Sequence, residues 1–145
     1  MSEKTFSDVF WNRLYKSTSL YLAVIFGIVG LLFLLIPENV LYFFNRISPS
    51  LGFIESPTQG MGFYLILAVG YMYLVTLLAC LMARHPGNPY FPILLINGKS
   101  ASSVLSFGLF FLHGPFLIYL TNGIIDGLIA LCVFILFRKT RNRTE

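Results

Sequence analysis

The sequence predicts an all-α membrane protein, a four-transmembrane-helix bundle with short interfacial helices at the N-terminus and in the first loop. Three observations carry this. Of 145 residues, 57% are hydrophobic and only 11% charged, whereas soluble domains carry roughly a quarter charged residues. Mean hydropathy is +0.78. Four apolar runs, 19–36, 60–83, 93–113 and 116–137, match the ~20 residues a helix needs to cross hydrocarbon. They are continuous, unlike the short alternating strands of a membrane β-barrel. This composition excludes a disordered chain, a nucleic-acid module and a disulfide scaffold.

The N-terminal arm places Phe6, Val9, Phe10 and Leu14 at helical spacing, with Asp8, Asn12 and Lys16 opposite. Trp11 and Tyr15 suit the headgroup region, where amphipathic rings settle. The first span runs into Leu35-Ile36-Pro37-Glu38 with no small-residue cleavage site, so it reads as a retained anchor, not a signal peptide. In the first loop Val40, Phe43, Phe44 and Ile47 repeat at helical spacing and predict a short surface helix. Arg84-His85-Pro86 closes the second span, and Pro89 and Pro92 lead into the third. Gly114-Pro115 leaves so short a link that the third and fourth spans must be antiparallel neighbours. No internal repeat divides the chain, so residues 1–145 read as one integral membrane domain.

Four spans put both termini and the middle loop on one side. That side holds Lys4, Arg13, Lys16, Arg84, Arg138, Lys139, Arg141 and Arg143, and the other only Arg46. Basic residues collect in short cytoplasmic loops, so both termini are expected in the cytoplasm. The net charge of +4 then reflects orientation, with juxtamembrane contact to anionic lipid and no nucleic-acid partner. The size and four-span layout are those of many small bacterial membrane proteins, so a bacterial inner membrane is the expected location.

The informative feature is polar. Lys99, Ser103, Ser106, Phe110 and His113 step along one face of the third span, beside Ser102, and Tyr119, Asn122 and Asp126 along one face of the fourth. Gly123 and Gly127 form a G-x-x-x-G pair that permits close helix approach. Counted from the span ends, Lys99 lies roughly 9 Å and Asp126 roughly 16 Å from the cytoplasmic edge, at ~1.5 Å per residue. Each charge alone in hydrocarbon costs at least ~2.5–3.5 kcal/mol, so pairing or neutralisation is favoured. Tyr71, near mid-membrane on the second span, is expected to donate to Asp126; Thr76 has its own helix backbone as the alternative partner. The candidate cluster is therefore Lys99, Asp126, Tyr71, Ser103, Ser106 and Asn122. Each has a plainer reading: Lys99 snorkelling to the interface, the serines as packing spacers, Asp126 as a hydrogen-bonded anchor.

Other motifs fail. Gly98-Lys99-Ser100 lacks the earlier glycine of a phosphate loop, since Ile93 stands there. Asn142-Arg143-Thr144 matches a glycosylation acceptor on the wrong side. Cys80 and Cys132 form no C-x-x-C and are expected as small buried thiols. His85 and His113 belong to opposite faces, unsuited to one metal or a pair of haem ligands. Ser103 and Lys99 have nucleophile–base spacing but no oxyanion donors. No catalytic, cofactor or metal set assembles. With 15 Phe and 8 Tyr available to line an apolar cavity, the expected function is non-catalytic: an accessory subunit of other membrane proteins, or a binder of an apolar small molecule such as lipid or quinone. The alternatives are a proton-coupled small transporter using Asp126, and a membrane enzyme acting on a lipidic substrate.

Overall fold

The computed structural model describes residues 3–58, 60 and 62–141, and the side chains of 3–8 and 62–63 are excluded from the description. The glycosylation-like triplet at 142–144 and the side chains of Lys4, Phe6, Asp8 and Arg143 therefore lie outside the described residues. The helices are α1 (Glu3–Leu35), α2 (Pro37–Ile47), α3 (Gly62–Arg84), α4 (Tyr90–Leu112) and α5 (Leu117–Arg141), with a 3-10 turn, Ser48–Leu51, after α2. Val9–Leu35 of α1, Tyr64–Arg84 of α3, and all of α4 and α5 are long and apolar enough to cross a membrane. The protein is an all-α bundle of four transmembrane helices, with no named strand among the described residues.

The N-terminal arm is helical, and it continues into the first span without a break as the 33-residue α1. No Pro or Gly interrupts residues 3–26, so nothing in the sequence forces a bend. Of the apolar stripe read from the sequence, Leu14 packs against the core, together with Trp11. Tyr15, Ser19, Ala23 and Phe26 are buried, while Val9 and Phe10 are exposed. Pro37 stops α1 and opens α2, as a first-turn proline can. On α2 the buried positions are Leu41 and Asn45, with Phe43 turned outward against Phe44.

α1 packs lengthwise on α3, and α4 lengthwise on α5; α3–α4 and α1–α5 contacts close the ring. The N-terminal arm, the α3–α4 turn and the end of α5 share one end of the bundle, where Asn12, Pro86, Gly87, Phe137 and Thr140 line a common depression. At the opposite end the loops are tied together. Asn45 holds the Ser56 backbone from both sides, donating to its carbonyl and accepting from its N–H, each at 2.8 Å. Ile54 bridges to Phe116. Gly114 turns there at φ +154°, and a Cβ on it would meet Ile54 and Phe116 at 3.3 Å. The apolar core lies toward the end with the termini, around Tyr15, Val75, Ala79, Met82, Leu95, Val133 and Leu136. Cys132 is exposed on the outer face of α5 and Cys80 is partly buried, so the expected burial of both thiols fails for Cys132.

Candidate functional site

α4 begins at Tyr90, three residues earlier than the apolar run suggested. The added helix places Lys99 ~4.5 Å deeper from its start, at ~1.5 Å per residue. The two side chains meet: Lys99 Nζ donates to Asp126 Oδ1 at 2.7 Å, with the side chains only 3% and 4% exposed. Lys99 does not snorkel. Two rings flank the ammonium group, Phe26 of α1 with its centroid at 4.6 Å and Tyr71 of α3 at 5.1 Å. All four spanning helices thus converge on one cation. The ring faces are negative, and a desolvated cation–π contact is worth ~2 kcal/mol or more, so the rings take the place of water that the bilayer cannot provide.

The flanking bonds join α4 to α5. Ser103 Oγ donates to the Gly123 carbonyl at 2.7 Å. Asn122 Nδ2 donates to Ser106 Oγ at 2.7 Å and to Ser102 Oγ at 3.3 Å. The glycine pair permits this approach: a Cβ at Gly123 would lie 3.2 Å from the Phe107 ring, and one at Gly127 3.0 Å from Ser103 Oγ. Ser103, Ser106, Lys99 and Asp126 are buried. Thr76 bonds its own helix, donating to Met72 O at 2.7 Å.

Tyr71 differs from its expected arrangement. Its hydroxyl and Asp126 Oδ2 are both buried and make no hydrogen bond among the described residues. The rotation of α3 offers Lys99 the ring face, which is why Tyr71 does not reach the carboxylate with its hydroxyl. A buried polar atom without a partner costs roughly 1–3 kcal/mol. The site therefore holds one unused acceptor and one unused donor.

An apolar groove of about 290 Å³ reaches this centre between α1 and α5. Ile25, Val29 and Phe33 of α1 face Ile118, Ile125 and Ile129 of α5 across it, and Val40 and Phe44 of α2 also line it. Its polar lining is Thr121, Asn122, Lys99 and Asp126. An Asn and a Thr lining an apolar groove next to a charge pair form the usual pattern of a small-molecule site: mostly apolar walls and a few convergent polar groups.

The remaining polar-stripe residues stand elsewhere. Phe110 packs against Phe53 at 6.0 Å and Tyr119 against Phe116 at 5.4 Å. His113 is exposed beyond the end of α4, while His85 packs on Phe91 at the other end of the bundle. No group of three or more His, Cys, Asp or Glu side chains that could hold a metal occurs among the described residues. The sequence reading missed Phe26 and the α1 wall of the groove. The available signal was the small-residue face Ala23, Gly27 and Gly30, which marks the side of α1 that packs.

Fold and site together define an integral membrane protein with four transmembrane helices and a buried ion pair at their meeting point. Comparison with protein-family models, with curated proteins and with solved structures finds no match.

Proposed function

We propose that this protein binds a neutral amphiphile, a lipid or quinone-type molecule, in the groove between α1 and α5. The observation that carries this is the convergence of an apolar channel on a charge-compensated pair with an unused acceptor. The lining gives the polarity of the ligand. Lys99 and Asp126 cancel in charge, so an anionic head would meet the carboxylate as well as the ammonium. A hydroxyl or carbonyl head meets Asn122 and Thr121 without that penalty, and a small shift of the walls gives a hydroxyl access to Asp126 Oδ2. The volume holds about ten non-hydrogen groups, at ~30 Å³ each, enough for a head and the start of one chain, with the rest extending into the bilayer. The protein acts as the holder of that ligand, alone or as a subunit of a larger membrane assembly.

In this reading the end that carries both termini faces the cytoplasm, in a bacterial inner membrane. The support is the basic set Arg13, Lys16, Arg84, Arg138, Lys139 and Arg141 at that end, against Arg46 at the other. A cysteine placed at Thr140 in a chain lacking Cys80 and Cys132 is labelled from the cytoplasmic side; labelling only from outside reverses the orientation.

The test of the ligand is native mass spectrometry of protein released from membranes in mild detergent. Wild type retains a neutral amphiphile of defined mass, and Ile125→Trp, which fills the groove, loses it. Wild type that flies bare from several gentle detergents overturns the proposal.

A further inference from the structure

We infer, resting on the ligand groove proposed above, that its occupant is selected by a hydroxyl head and that Asp126 Oδ2 is the atom that selects it. The ligand class then contracts from neutral amphiphiles in general to alcohols and phenols, whose heads donate a hydrogen bond.

The polar groups at the groove differ in what they have left to give. Lys99 Nζ donates to Asp126 Oδ1 at 2.7 Å and is flanked by the Phe26 and Tyr71 rings, with centroids at 4.6 Å and 5.1 Å. Asn122 commits its Nδ2 to Ser106 Oγ at 2.7 Å and Ser102 Oγ at 3.3 Å. The N–H groups of both residues are thus engaged within the bundle. Asp126 Oδ2 is the opposite case. It is buried, makes no hydrogen bond among the described residues, and belongs to a side chain that lines the groove. An ionised carboxylate only accepts, so whatever pairs with Oδ2 must bring the hydrogen. Tyr71 has a hydroxyl without a hydrogen bond, but Tyr71 does not line the groove. A Cβ on Gly98 would stand 3.8 Å from that hydroxyl, which puts it against α4. Thr121 does line the groove, and its hydroxyl gives or takes a hydrogen bond, so it accepts either kind of head.

Charge and donor count then decide between heads. An amine brings a second cation beside Lys99. A carboxylate or phosphate brings a second anion beside Asp126. An ether, ester or quinone carbonyl brings only acceptors, and leaves Oδ2 buried and unpaired. An alcohol or phenol is neutral, donates to Oδ2, and accepts from Thr121. A hydrogen bond to a charged group, set against the same carboxylate left without one, favours the hydroxyl by about tenfold to a hundredfold.

The experiment compares isomeric probes, so that size and composition are matched. The whole chain, stripped of retained lipid, is placed in phosphatidylcholine nanodiscs, whose lipid has no hydroxyl. Tridecanol or its isomer dodecyl methyl ether is added at equal mole fraction, and bound probe is counted by native mass spectrometry. Decylphenol and its isomer nonylanisole form a second pair, and the pair with the larger ratio tells an aliphatic from a phenolic head. Wild type retains the hydroxyl member about tenfold or more over its isomer, and Ile125→Trp abolishes that retention. Equal retention of alcohol and ether, both lost in Ile125→Trp, overturns the hydroxyl assignment and leaves the groove a site for neutral amphiphiles. A hydroxyl preference that survives Ile125→Trp lies outside the groove and also overturns it. Retention of neither member of either pair overturns it too, while the groove itself stands or falls on the amphiphile carried through gentle purification. Lys99→Met with Asp126→Asn keeps the site neutral and replaces the carboxylate by an amide that donates. This variant loses or reverses the preference; an unchanged preference removes Oδ2 as its source. The wild-type comparison of isomers needs no variant to fold.

Discussion

Two helix pairs hold this bundle together by different means. α1 and α3 meet through apolar side chains around Ala23, Phe26, Val75, Ala79 and Met82. Ser19 and Thr76 bond within their own helices, Ser19 to Tyr15 O at 2.8 Å and Thr76 to Met72 O. α4 and α5 are joined by an ion pair and three side-chain hydrogen bonds. In lipid there is no hydrophobic drive between helices, so packing and polar contacts must do the joining. The difference shows that the α1–α3 pair serves as scaffold. The polar seam of α4–α5 fixes depth and rotation, and presents its charged end to the groove where the two pairs come together.

The comparison is broken most severely at Asp126. Asp126→Ala leaves Lys99 buried without its counter-charge and lowers stability by about 3–5 kcal/mol, read as loss of folded monomer in detergent unfolding by sodium dodecyl sulfate. A change in the α1–α3 pair of similar size, such as Val75→Ala, costs less than half as much; equal costs would remove the distinction between the pairs.

The glycines give the next largest effect. A Cβ at Gly127 presses on Ser103 Oγ at 3.0 Å, which bonds the Gly123 carbonyl. Gly127→Ala is expected to destabilise by about 1–3 kcal/mol. At Gly27 of α1 the same Cβ meets only Thr76 Cγ2 at 3.9 Å, an ordinary contact. Gly27→Ala is expected to be neutral or to stabilise by up to ~1 kcal/mol through helix propensity. The signs of the two effects are compared by thermal unfolding in one detergent.

Asn122→Leu removes the bonds to Ser102 and Ser106 and is expected to cost about 0.6–1.7 kcal/mol, the range for interhelical hydrogen bonds in membranes. The smallest expected effect is at Tyr71. Phe keeps the ring beneath Lys99 and deletes a hydroxyl with no partner among the described residues, so Tyr71→Phe leaves apo stability unchanged or raised. A clear loss in protein stripped of ligand would mean that the hydroxyl is bonded after all.

Much of this arrangement is legible in the sequence, for identifiable reasons. A charge in an apolar run has few neutral explanations, so Lys99 and Asp126 stand out, and a short Gly-Pro link dictates which helices adjoin. The glycine pair is visible because spacing alone sets its face. Phe26 is not legible in the same way: in a helix apolar on every side, periodicity gives no contrast between ring and lipid-facing neighbours. In the N-terminal arm the core-facing side is likewise not legible from apolar spacing. Val9 and Phe10 are apolar and form a stripe, but in a membrane the apolar stripe can face lipid while Tyr15 and Ser19 face the core. The direction of the Tyr71 hydroxyl depends on helix rotation by a few tens of degrees, which spacing does not specify. The groove depends on how far two helices part, a property of side chains on both.

The most direct test replaces the ion pair as a unit. Lys99→Met with Asp126→Leu removes both charges at similar volume, a change that buried pairs often tolerate without loss of stability. Folding and ligand binding can then be separated, by comparing the mass of the folded variant with that of wild type after identical gentle purification. The account predicts a folded double variant that has lost the neutral amphiphile. A folded double variant carrying the same ligand at the same occupancy would contradict it.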